Sequence, residues 1–128
     1  MFKKSTAIVG IGLDLIDIDH FSRLYGGDDP ELMGRCFTDA ELLSVGSGPD
    51  RLARLAARFA AKEAAYKAFG GGVDIALTDI VVANNSSGAP YLLLEGEAKA
   101  MAARKGIRTL LLSVTHSSKS AAAVVIAL

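Results

Sequence analysis

The sequence predicts an α+β domain with a mostly antiparallel sheet and one long central helix. Three observations carry this. An alanine-rich stretch at 50–69 is the longest helical segment and stops at three glycines. Two pairs of apolar runs, at 77–96 and 108–128, are each joined by a short polar turn, as in hairpins. Helices and hairpins alternate irregularly rather than as repeated βαβ units.

In order, "AIVGIGLDL" (7–15) predicts a buried strand, with glycines that allow another backbone to approach. "DIDHFSRLYG" (17–26) follows as a short amphipathic helix, with Ile18, Phe21 and Leu24 roughly in phase. After the loop "GGDDPE", the segment "PELMGRCF" (30–37) predicts a second short helix. "TDAELL" (38–43) opens a third, because Thr38 and Glu41 have capping-box spacing. "SVGSGPD" (44–50) is a turn into the long helix. "LTDIVVANN" (77–85) and "YLLLEG" (91–96) read as strands around the turn "SSGAP". "EAKAMAARKG" (97–106) is a helix with a glycine stop. "RTLLLSVTH" (108–116) and "AAAVVIAL" (121–128) are strands around "SSKS".

The chain's 128 residues suit a single domain, 1–128, and no linker or repeat divides it. Apolar residues make up 51%, which disfavours disorder. Lys plus Arg equals Asp plus Glu, 14 each, which disfavours a broadly basic nucleic-acid binder. One cysteine, Cys36, rules out an internal disulfide, and no Cys/His cluster supports structural zinc. The opening "MFKKST" and the apolar run after it imitate a signal peptide, but Asp14, Asp17 and Asp19 interrupt the run. No segment is long and apolar enough to span a membrane, so a cytoplasmic protein is expected.

Three fragments hold candidate chemistry. On a helical wheel Glu63 shares a side with Leu52, Ala56, Phe59, Ala60, Tyr66 and Lys67. Arg54, Arg58, Ala61 and Ala65 fall opposite, with Lys62 near them, and the arginines read as the solvent face. Glu63 and Lys67 are then either a surface i,i+4 pair or part of a partly buried site, where a cation would relieve the carboxylate and the lysine would meet phosphate. Asp14, at the end of the first strand, is either a cap for the next helix or a second acid for Mg²⁺, which takes one or two carboxylates plus substrate phosphate. The turn at His116, with Thr115, Ser117, Ser118 and Lys119, is either solvated or a phosphate cradle.

Together and in this order the fragments resemble the holo-acyl-carrier-protein synthases, the small trimeric branch of the 4′-phosphopantetheinyl transferases. The family's Gly-x-Asp motif appears as "GIGLDLIDI", and its Phe-x-x-Lys-Glu-x-x-x-Lys-Ala helix as "RFAAKEAAYKAFG". Its G-x-P turn appears as "GAP" (88–90), its Ser/Thr-His-Ser strand end as "SVTHSSKSAAAVVIA", and "FTDAEL" also matches. The resemblance spans nearly the whole chain. It implies that phosphopantetheine moves from coenzyme A to a serine of an apo-acyl carrier protein, for fatty-acid or related lipid biosynthesis. The other product is adenosine 3′,5′-bisphosphate. The reaction uses Mg²⁺ and no redox cofactor.

By position, Asp14 and Glu63 match the metal-binding acids, and Lys67 the lysine facing the pyrophosphate. Arg58, His116 and Ser117 match contacts to the 3′-phosphate and nucleotide, and Lys62 is assigned to coenzyme A electrostatics. Gly70 to Gly72 match a loop that ligand approaches, and Pro90 the turn near the adenine. The family also implies a homotrimer with sites between subunits, and implies no nucleic-acid or membrane partner. The chain departs from the pattern after Asp14. Many members have an arginine-rich helix there for the acidic carrier, whereas residues 14–35 hold Arg23 and Arg35 against six acids, with His20 where arginine is common. Arg23 and His20 are carried over as carrier contacts. The aromatic common before the last strand is replaced by "SSKSAA". Two competing readings are a coenzyme A-binding module of the same fold without transfer, which intact Asp14, Glu63 and Lys67 oppose, and a two-metal phosphohydrolase, for which no His/Asp cluster exists.

Overall fold

The computed structural model describes residues 7–128. Lys3 and Lys4, in the leader-like opening, lie outside the described residues. The elements run β1 (Gly10–Asp17), α1 (Ile18–Tyr25), α2 (Pro30–Cys36), α3 (Asp39–Val45), α4 (Arg51–Ala68), β2 (Ile80–Asn84), β3 (Pro90–Leu94), α5 (Gly96–Lys105), β4 (Leu110–His116) and β5 (Ser120–Ala127). Strands pair only antiparallel among the described residues, in a three-stranded sheet of order β1-β5-β4 and a separate hairpin of β2 with β3. The α+β expectation stands. Among the described residues no helix is long and apolar enough to cross a membrane.

Most boundaries fall within a few residues of the sequence reading, and the exceptions have local causes. β1 extends to Asp17 because its register with β5 continues to the pair Asp17↔Ser120. The cap of α1 is therefore Asp17, whose Oδ1 accepts from the Asp19 amide at 3.1 Å, and Asp14 is free of that duty. Leu77–Asp79 form a 3₁₀ turn rather than the start of a strand. Pro90 opens β3 opposite Asn84 instead of closing the turn. The capping box forms as read: Thr38 Oγ1 accepts from the Glu41 amide, and Glu41 Oε1 accepts from the Thr38 amide.

Helix α4 is covered on more than one side, which a wheel with a single buried face does not anticipate. Against one side lies the inner sheet face, with Ala123, Val125 and Ala127 of β5. Against others lie Ile80 and Val82 of the hairpin, Ala98 and Ala102 of α5, and the cluster of Phe21, Met33, Phe37 and Val45. Ala61 and Ala65, placed on the solvent face by the wheel, are buried. Alanine at seven buried positions of this helix lets so many elements approach it at once.

The closest approach is to β1. A Cβ on Gly10 would sit 2.0 Å from the Ala68 carbonyl oxygen, and one on Gly12 1.7 Å from that of Ala64. Two strand residues span ~7 Å and four helix residues ~6 Å, so the Gly10/Gly12 and Ala64/Ala68 spacings mesh. Gly12→Ala must push the helix off the strand. The expected cost is about 3 kcal/mol or more, at or beyond the upper end of ordinary overpacking, read as a loss of unfolding free energy in urea. The same displacement would move Glu63 away from Asp14.

Candidate active site

The contact of β1 with α4 sets the first cavity. Even-numbered residues of β1 face the helix, so Asp14 follows Gly10 and Gly12 onto that face. Asp14 and Glu63 line one cavity of about 320 Å³, together with Asp17, His20, Phe21, Tyr25 and Phe59. Lys67 Nζ donates to Asp14 Oδ1 and to the Leu13 carbonyl, both at 3.0 Å. Its ion pair is thus with Asp14 rather than with Glu63 one turn away. A lysine has three N–H donors, so one remains for a ligand. Burial pushes the Glu63 carboxyl above its ordinary value, and the nearby Asp14 charge pushes it the same way, against a smaller downward pull from Lys67. Two hard oxygen donors in mutual repulsion fit a magnesium ion completed by substrate phosphate and water. Tyr25 is pushed up to about 12, by burial first and then by Cys36, whose thiol donates to its oxygen. It is a neutral wall at physiological pH. Cys36 itself is buried, as a small apolar residue would be.

A second cavity, of about 200 Å³, is lined by Arg54, Ala57, Arg58, Val82, Asn84, Pro90, Val114 and His116. It gathers Arg58, Pro90 and His116 from three distant parts of the sequence. The two arginines are half-buried, not a solvent face. Burial lowers the Arg58 guanidinium from its ordinary value; the Glu41 charge opposes this and Arg54 adds to it. Arg58 Nε is buried without a partner among the described residues. A half-buried cation with an unpaired N–H is suited to an anion.

The two cavities share no lining residue. They flank α4 on opposite sides, since Asp14 belongs to β1 and His116 to β4, the two edges of the sheet.

Residues 10–125 match the profile of the 4′-phosphopantetheinyl transferase superfamily. The chain belongs to that superfamily. It is 43% identical over 121 residues to the holo-[acyl-carrier-protein] synthase of Treponema denticola, covering 93% of this chain and 97% of that protein. The crystal structure of the Neisseria meningitidis holo-[acyl-carrier-protein] synthase superposes with a TM-score of 0.86 at 29% identity, over 95% of this chain and 99% of that one. The Bacillus anthracis synthase, solved in complex with CoA (3′,5′-ADP), gives a TM-score of 0.76 at 32% identity, over 95% and 97% of the two chains.

Within this phosphopantetheinyl transferase fold, three expectations change. Lys62 does not reach a ligand. It is fully buried, and its three donors go to Glu41 Oε1 at 2.7 Å, the Leu77 carbonyl at 2.9 Å and the Ile80 carbonyl at 2.7 Å. Helix α3 and the 3₁₀ turn close over the side of α4 that the wheel left open. Ser117 lines a neighbouring cavity with Ser118, Asp19 and Asp50, and only His116 belongs to both. Its hydroxyl oxygen accepts from the Lys119 and Ser120 amides and so builds the hairpin turn. Gly70 and Gly72 take positive φ, 102° and 63°, in an exposed loop, and line neither of the two cavities. Sequence reasoning missed that His20 lines the Asp14 cavity and that Arg54 lines the other. The available signal for Arg54 was the spacing of Arg54, Arg58 and Lys62 at i, i+4 and i+8, one basic stripe.

Proposed function

We propose that this chain transfers the 4′-phosphopantetheine group from coenzyme A to a serine of an apo-acyl carrier protein, leaving adenosine 3′,5′-bisphosphate. The observation that carries this reading is the meeting of Asp14 and Glu63 at one cavity, with Lys67 bonded to Asp14, from positions about fifty residues apart. Asp14 and Glu63 would hold Mg²⁺, which when bound supplies positive charge to the coenzyme's phosphates. Lys67 uses its remaining N–H to neutralise or protonate the departing phosphate. Arg58 and His116 grip the nucleotide phosphate, and Pro90 forms the wall beside the base. No side-chain nucleophile is required of this chain, since the attacking hydroxyl is the carrier's. Arg23 and His20 lie on α1, the helix we assign to the carrier, and His20 reaches the cavity of the acids.

The same reading calls for a homotrimer. The half-sites of one chain face opposite ways, so a single ligand bridges them only between neighbouring copies. Such a head-to-tail contact closes into a ring of three when each step turns by a third of a circle. The outer face of β1 presents Ile11, Leu13 and Leu15, which are 63%, 65% and 72% exposed, and an apolar row of this kind favours a covering copy. The setting consistent with one free thiol, Cys36, is the cytoplasm.

Mass spectrometry of an apo-carrier protein incubated with enzyme, coenzyme A and Mg²⁺ tests the reading. Wild type is expected to add one phosphopantetheine group and to scatter light as three copies. Leu15→Asp, which places charge on the uncovered face, is expected to run as a monomer and add none. No addition on any carrier by a wild-type trimer would sink the transferase reading.

A further inference from the structure

Three cations along one stripe of α4 are tied to α3 and the turn that follows it. Lys62 donates to Glu41, Arg58 Nη2 donates to Ser44 Oγ at 3.1 Å, and Arg54 donates to the Val45 and Ser47 carbonyls at 2.9 and 3.1 Å. The middle rung reaches the ligand cavity. Ser44 Oγ donates its one proton to the Glu41 carbonyl at 2.9 Å. The hydroxyl therefore offers Arg58 only lone pairs, in an orientation set by the helix. The Glu41 residue that receives that proton is itself held by the Lys62 ammonium and by the Val82 amide at 2.8 Å. The rung is thus anchored to a buried network rather than to a mobile side chain.

We propose that Ser44 is a positioning residue for the coenzyme site, holding the Arg58 guanidinium in the cavity wall before ligand arrives. This rests on the reading of Arg58 as a phosphate contact. An arginine has many rotamers, and a ligand that must first order one binds more weakly than a ligand that finds it ordered. Ser44 touches no reacting atom and acts through Arg58.

The test compares Ser44→Ala, Ser44→Thr, Arg58→Ala and the double variant Ser44→Ala/Arg58→Ala. Coenzyme A affinity by calorimetry, steady-state kinetics and a thermal melt are recorded for each. Ser44→Ala is expected to raise the KM and Kd for coenzyme A about three- to tenfold, with kcat within about twofold and an unchanged melt. Ser44→Thr keeps the hydroxyl and should restore affinity. In the Arg58→Ala background, loss of Ser44 should add nothing, because the coupling is gone. If Arg58→Ala weakens coenzyme A binding and Ser44→Ala does not, the proposal is overturned while the site reading stands. If Arg58→Ala itself leaves binding unchanged, the role of Arg58 falls and the proposal with it.

Discussion

Glu63→Gln is expected to abolish transfer and, at the same time, to stabilise the metal-free protein. The loss of activity follows from removing one of the two carboxylates, Asp14 and Glu63, assigned to the metal in the 320 Å³ cavity. A charge-stabilising group of this kind is worth roughly 10²- to 10³-fold in rate, so the mass gain on carrier protein should fall by at least that factor. The gain in stability follows from the carboxyl's environment. Burial and Asp14 hold the Glu63 carboxyl above its ordinary value in the folded chain. The folded state then binds more protons than the unfolded state once pH passes the unfolded value, and stability falls as pH rises through that window. Below the unfolded value both states are protonated and the penalty is absent. Urea melts of wild type and Glu63→Gln in chelator should therefore coincide at low pH and separate towards neutrality, with the glutamine variant the more stable. Equal stability at pH 7, or a wild type more stable than the variant, would contradict this. Added Mg²⁺ should stabilise wild type and leave the variant largely unmoved.

The second large effect belongs to the neighbouring residue. Lys62→Met should cost about 3–5 kcal/mol of unfolding free energy, the range for breaking one partner of a buried ion pair. Burial pushes the Lys62 ammonium down from its ordinary value while the hydrogen bond and charge of Glu41 pull it up. Removing it takes the ammonium from over the Phe37 ring and leaves the buried Glu41 carboxylate without its counter-ion. A double variant, Glu41→Leu with Lys62→Met, removes both charges. In many proteins that exchange is neutral. Here it should recover only part of the loss, because the Leu77 and Ile80 carbonyls and the Val82 amide would lose their partners. Full recovery in the double variant would mean that only the charge pair, and not the backbone network, held α3 and β2 to α4.

These two predictions concern adjacent residues of one motif, and they show where sequence reasoning succeeded and where it stopped. From the residues alone Glu63 stayed open between a surface pair and a site acid, and the resemblance to the synthases joined it to Asp14, which ends a strand whose glycines allow a close neighbour. The structure supplies that neighbour in the Ala64 and Ala68 carbonyls. Glu41 was legible as the far end of a capping box, a local pattern of four residues. Its second role as counter-ion to Lys62 spans 21 residues, and no local pattern encodes it. Lys62 was assigned to the ligand because it stands in the family's Phe-x-x-Lys-Glu-x-x-x-Lys motif. Lys67 of that motif is exposed, whereas the three donors of Lys62 all find oxygen within the fold.

The sequence by itself determined the elements and their order, because periodicity, capping residues and glycine stops act over a few residues; the acids Asp14 and Glu63 were marked by the resemblance of their motifs. The grouping of these acids with Lys67 rested on the motifs' resemblance to the synthases, since the spacing of Glu63 and Lys67 fits a surface pair equally well. Only the tertiary structure decided which side of α4 meets ligand. A helix of alanines can be covered from several directions at little steric cost, so about 100° of rotation separates a buried structural lysine from a ligand-facing acid. The packing of α3 over Lys62, and of β1 beside Glu63, makes that choice.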